Sequence, residues 1–208
     1  MSTLRHWITL PYRRYPMLTG GLLPLIVLAL FVVMPRMLEP PEQEIDPLGR
    51  TALTLAAERG EHEAVMEMID ASTPVDERDR CGWTALMKAA ANGHLAMLEE
   101  LLARGANPEH RDDAGYTALM VAVVNGREAT SRALLRVGAD VHAVDDQAGW
   151  SSLIWAARNG SEELTSLLLA HGADPAHAAD DGTTPLQLAR EGGHAGVVSQ
   201  LEAAGARE

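Results

Sequence analysis

Eight histidines, one cysteine and 29 acidic side chains are the groups in this 208-residue chain that could carry nucleophilic, acid–base or metal chemistry. Their arrangement assembles none of it. His62, His94, His110, His142, His171, His177 and His194 scatter without a set of metal-ligand spacings. Cys81 stands alone, which excludes an intramolecular disulfide and a cysteine-based metal cluster. Asp46, Asp79, Asp112 and Asp146 each precede a recurrent glycine by three residues and fit a turn-bracing role. No catalytic, metal or cofactor-binding set follows. Recognition is better supported. Trp83, Tyr116 and Trp150 recur at near-equal spacing, and Arg80, Lys88, Asn125, Trp155, Arg158 and Asn159 lie close to them in the repeated pattern. Tryptophan, tyrosine and arginine are enriched at binding hot spots, so these nine are the candidate partner-binding residues. The competing reading is that the rings pack against neighbouring turns. Met87 and Met120, also at repeat spacing, fit packing better than binding.

A repeat positions these residues. Gly49, Gly82, Gly115, Gly149 and Gly182 are spaced by 33, 33, 34 and 33 residues. A second glycine follows each by 11 residues: Gly60, Gly93, Gly126, Gly160 and Gly193. Gly105, Gly138, Gly172 and Gly205 come 12 further on, with Ser72 in that place in the first repeat. Such a period marks a solenoid. Thr51, Thr84, Thr117, Ser151 and Thr184 are placed to cap a first helix, and Pro185 suits a first helical position. Paired leucines such as Leu101-Leu102 and Leu134-Leu135 mark the buried face of a second helix. The third glycine then closes that helix in a left-handed conformation.

The segments Thr84-Ala85-Leu86-Met87-Lys88-Ala89-Ala90, Gly93-His94, Gly105-Ala106-Asn107 and Thr184-Pro185-Leu186 resemble the ankyrin repeat. The resemblance covers about residues 46–206 and implies an all-α solenoid of five repeats with short β-turn or hairpin tips. The repeats run about 46–78, 79–111, 112–145, 146–178 and 179–206. It makes His94 and His194 structural and places Arg50, Trp83, Tyr116, Trp150 and Thr183 at successive turn tips, along one edge of a concave face. The family's usual histidine after the first-helix leucine is replaced by Thr54, Met87, Met120, Ile154 or Gln187. Glu202 and Arg190 supply a polar C-terminal cap.

Charge divides the chain. Residues 1–38 carry four arginines and no acid, whereas residues 39–208 carry 13 basic and 29 acidic side chains, a balance of −16. The apolar run from Met17 to Met34 would span about 27 Å as a helix. It predicts a signal anchor over 17–38, after a basic segment 1–16 and before a proline-containing linker 39–45. Arg5, Arg13 and Arg14 before the run place the N-terminus in the cytoplasm and the repeats across the membrane. Lys88 is the sole lysine, and the arginine-rich composition fits a GC-rich bacterial source, an inner membrane and a periplasmic repeat domain.

The expected function is that of a non-enzymatic scaffold, attached to the membrane by its N-terminal helix, that binds another protein through the concave face. The resemblance implies a supporting or protective role toward an exported enzyme. The acidic balance favours a partner with basic patches and disfavours nucleic acid, which is bound through Lys and Arg. The alternative is an immunity or inhibitor protein that neutralises a toxin at the membrane, and the third reading is an enzyme or redox factor using Cys81.

Overall fold

The computed structural model describes residues 45–207. Among these residues ten helices form five pairs: α1 (Ala52–Arg59) with α2 (His62–Asp70), α3 (Ala85–Asn92) with α4 (Leu95–Ala103), α5 (Ala118–Val124) with α6 (Glu128–Arg136), α7 (Ser152–Arg158) with α8 (Glu162–Ala170), and α9 (Pro185–Glu191) with α10 (Ala195–Ala203). Each first helix starts on a hydroxyl. Thr51, Thr84, Thr117, Ser151 and Thr184 sit in extended backbone and accept the N–H three residues on. Each satisfies a donor that helix geometry leaves over. At α1 the Thr54 hydroxyl also accepts the Thr51 N–H, closing a capping box.

The first helices stack directly, α1 on α3, α3 on α5, α5 on α7 and α7 on α9, and each second helix packs on its own first helix. Alanine makes the close stacking possible: Ala56, Ala57, Ala89, Ala90, Ala122, Ala156, Ala157 and Ala189 are all buried. Leu53, Leu86, Leu119, Leu153 and Leu186 fill the same layer, each burial contributing about 2 kcal/mol. Met87, Met120 and Ile154, in the place of the family's histidine, are buried as well.

The turns stack too. The Arg80 N–H donates to the Gly49 carbonyl at 2.9 Å, Asp113 to Cys81 at 3.0 Å, Asp146 to Ala114 at 3.0 Å, and Asp180 to Ala148 at 2.9 Å. Gly115 shows why glycine is needed there. Its φ is +84°, and a Cβ on it would stand 2.6 Å from the Asp146 amide nitrogen. In the second and third turns an aspartate takes two N–H groups: Asp79 those of Cys81 and Trp83, Asp112 those of Ala114 and Tyr116.

That bonding corrects the expectation of hairpin tips. Among the described residues the bridges Ile45–Thr51 and Val144–Ser151 are isolated, and no strand forms. The N–H groups that a ladder would need are spent on the aspartate carboxylates. The turn residue of the fourth repeat also differs. Asp145, not Asp146, accepts the turn N–H groups, from Gln147 and Ala148, and donates its own to Trp150. The extra residue in that turn accounts for the 34-residue spacing from Gly115 to Gly149. Asp146 instead pairs with Arg111 at 2.8 Å.

The membrane topology is corrected as well. Among the described residues no helix is long and apolar enough to cross a membrane. The longest have nine residues, or about 14 Å, against an apolar core of about 30 Å. The segment 17–38 that hydropathy assigns to an anchor lies outside the described residues. The transmembrane helix, the attachment to a membrane through it and the single-pass inner-membrane placement with a periplasmic repeat domain are withdrawn.

Two stability measurements test the turn stack and the helix ends. Gly138 has φ +88° with nothing near its missing Cβ, so Gly138→Ala is expected to cost about 1 kcal/mol, whereas Gly115→Ala adds the backbone clash and costs upward of about 3 kcal/mol in urea unfolding. Ser72 is the one non-glycine residue with positive φ among those described, at 85°, and Ser72→Gly should raise stability by about 1 kcal/mol.

Candidate partner-binding edge

The residue after each first glycine has both main-chain groups committed in the second and third turns. The N–H groups of Trp83 and Tyr116 go to Asp79 and Asp112, and their carbonyls accept from the same aspartates' N–H groups. The Trp150 carbonyl accepts from Asp145 at 3.0 Å. The three rings therefore rise from fixed turns, and each is half-buried.

They form two groups. Trp83 packs on the core, with Lys88 Nζ 4.5 Å above its ring centroid. Lys88 is also 3.1 Å from Glu58 and 3.9 Å from Asp79. Glu58 reaches Arg50 at 3.0 Å, and Arg50 holds Asp46 at 2.7 Å. The second group is built around Trp155 on α7. Its ring lies 4.6 Å from Trp150 and 6.2 Å from Tyr116, centroid to centroid. Arg158, one helical turn on, has its guanidinium 5.2 Å from the Trp155 ring and 5.3 Å from the Trp150 ring. No ring contact joins Trp83 to Tyr116 among the described residues, so the aromatic row is interrupted. The indole N–H of Trp155 is buried without a hydrogen-bond partner.

The remaining candidates serve the fold in visible ways. Arg80 is exposed, its stem lying over Gly49. Asn125 and Asn159 donate their side-chain amides to the carbonyls of Val121 and Val124, closing the end of α5. Cys81 is exposed in its turn, and its N–H and carbonyl are used by Asp79 and Asp113. His94 and His194 reach back one repeat to the carbonyls of Glu58 and Arg158, filling the space above Gly60 and Gly160. His62 and His110 face Glu100 and Asp76, and His177 donates to the Gly149 carbonyl. No group of three or more His, Cys, Asp or Glu is placed to hold a metal among the described residues.

Several working residues escaped the sequence reading. Arg78 donates to the Arg111 carbonyl, and Arg111 to the Val144 carbonyl, so each bridges to the next turn. Arg127 reaches back to the preceding repeat at the helix ends, donating to the Ala91 carbonyl. The signal was present, since Arg78 and Arg111 stand 33 residues apart.

The electrostatics follow from this geometry. The Arg50 side chain holds the Asp46 carboxyl below its ordinary range, with the Arg50 N–H adding to the effect. Burial alone would raise Glu58, but Lys88 and Arg50 hold it below its usual value. His62 and then Arg104 lower Glu100, and Thr183 lowers Asp181. Burial, then the charges of Asp145 and Asp112, push the Tyr116 phenol up.

A family model described as Ankyrin repeats (3 copies) matches residues 26–112, 71–145 and 132–207. The first match begins inside the 17–38 segment. No curated protein matches the chain. The repeat array covers most of the chain, and its described residues hold no metal cluster.

The lowered carboxylates give a pH signature. Each binds its proton less tightly in the folded chain than in the unfolded one. Its contribution is therefore whole above an unfolded pKa of roughly 4 and is lost as the pH falls through the lower folded value. Urea midpoints should stay level from about pH 7 to about pH 5 and fall steeply below roughly pH 4. A midpoint that holds to roughly pH 3 would contradict the pairing.

Proposed function

The chain belongs to the ankyrin-repeat family, and from that premise we propose that it works as a protein-interaction scaffold, receiving a partner with basic patches on its concave face and turn edge. The observation that carries this reading is the fixed main chain beneath Trp83, Tyr116 and Trp150. Ordering a free side chain at an interface costs about 0.5–1.5 kcal/mol, and a half-buried ring on a braced turn has already lost much of that freedom. Such a ring still offers its open face to a partner, which is the character of a hot spot. Arg80, Lys88, Asn125, Trp155, Arg158 and Asn159 border these anchors. The excess of 29 acids over 17 bases supports a basic partner through steering. No membrane attachment enters this reading.

Affinity capture with the full chain tests it. The double variant Trp83→Ala/Trp150→Ala is expected to lose at least about tenfold in partner binding, since hot-spot rings are worth about 2 kcal/mol or more each. Circular dichroism should still show a cooperative thermal transition. Undiminished capture by a folded double variant would overturn the proposal.

A further inference from the structure

We propose that Arg158 is a carboxylate-docking residue: held over Trp150 and Trp155, it receives an Asp or Glu side chain of the partner segment. The inference rests on the scaffold reading above and adds the chemistry of one subsite.

The first observation is the state of the guanidinium. It lies 5.2 and 5.3 Å from two ring centroids, and among the described residues no carboxylate is within ion-pair distance of it. Other arginines are spent on acids, as Arg50 on Asp46, Arg104 on Glu100, Arg111 on Asp146 and Arg136 on Glu99, or on backbone carbonyls, as Arg78 and Arg127. Arg158 is exposed, and the contacts of its guanidinium among the described residues are the two ring faces.

The second observation is which part of the group is used. Contact with the rings engages the π-faces, whereas the five N–H donors of a guanidinium lie in its own plane. The rings restrict the rotamer without consuming the donors. A planar fork held in that way matches a carboxylate in bidentate geometry. A partner cation, by contrast, would have to displace Arg158 from both rings and meet its charge.

The third observation is the order of charge along the edge. Around Trp83 the charges balance, with Arg50 and Lys88 paired to Asp46, Glu58 and Asp79 and the exposed Arg80 nearby. Beside Trp150 the guanidinium of Arg158 stands unneutralised. The edge therefore fits a segment that brings an acidic side chain toward Trp150. This accommodates a partner that is basic as a whole.

Selection of a phage-displayed random dodecapeptide library on the immobilised full chain supplies the probe. The selected peptides should share an Asp or Glu. Changing it to the amide should weaken binding about tenfold on the wild type and leave binding to Arg158→Gln unchanged. Arg158→Lys, which keeps the charge but loses the fork, should recover only part of the affinity. Peptides with no shared acid, or an acid-to-amide change that costs as much on Arg158→Gln as on the wild type, would overturn the proposal. So would tighter binding by Arg158→Gln, which would mean that the residue shields the rings from a partner cation. Trp83→Ala separates the two readings. Loss of binding there, with a peptide indifferent to Arg158, overturns the carboxylate site alone. Binding untouched by Trp83→Ala and Trp150→Ala overturns the edge itself, and so does a selection that yields no binder.

Discussion

Four backbone hydrogen bonds between successive turns set the register of every repeat on the next. They run from Arg80, Asp113, Asp146 and Asp180 to the carbonyls of Gly49, Cys81, Ala114 and Ala148. At Gly115 this contact leaves no room for a Cβ, and the glycine frame as a whole shares a positive φ. It also fixes where the following residue points. Arg50, Trp83, Tyr116, Trp150 and Thr183 take comparable places because the turns beneath them repeat, and not because of their own side chains. The helices then follow from the turns, since each hydroxyl cap lies one residue beyond that position.

The same turns explain much of the acidity. Asp46, Asp79, Asp112, Asp145 and Asp181 all accept turn N–H groups, and Asp140 and Asp174 serve the closing turns in the same way. A carboxylate is the strongest acceptor available for such donors. Stacked turns bring these charges close, and Lys88, beside Asp79, and Arg111, bridging to the Val144 carbonyl and Asp146, offset part of the repulsion. Net charge is therefore in part a consequence of turn chemistry. Its bearing on partner choice lies in the acids that serve no turn and no ion pair.

Repeat spacing, caps and the roles of His94 and His194 were legible because each is a local pattern counted from a glycine. The exchange of Asp145 for Asp146 was not, because counting backwards from Gly149 hides a residue inserted within the turn. Hairpin tips could not be excluded from spacing, since the same residues serve a ladder or a carboxylate-braced turn. The run at 17–34 is a different case. An unbroken apolar stretch has no period, so it was read from hydropathy alone. A family match that starts at residue 26 is information of a different kind. The aromatic row was visible as spacing, but its division into two groups depends on Trp155, which the repeat pattern placed on a helix without saying which rings it would touch.

Trp155 makes packing and recognition compatible at this edge. It is partly buried against the core while its ring meets Trp150 on one side and Tyr116 on the other. Stacking on a ring already locked by the core removes freedom from Trp150, whose position on the turn would otherwise leave it mobile. Arg158 gains from the same arrangement, because two fixed faces hold a side chain that normally carries about 2 kcal/mol of rotamer entropy. At this edge the choice between a ring that packs and a ring that binds is therefore a false one. Packing from below fixes the group, and the open face and the guanidinium above it are what a partner can meet.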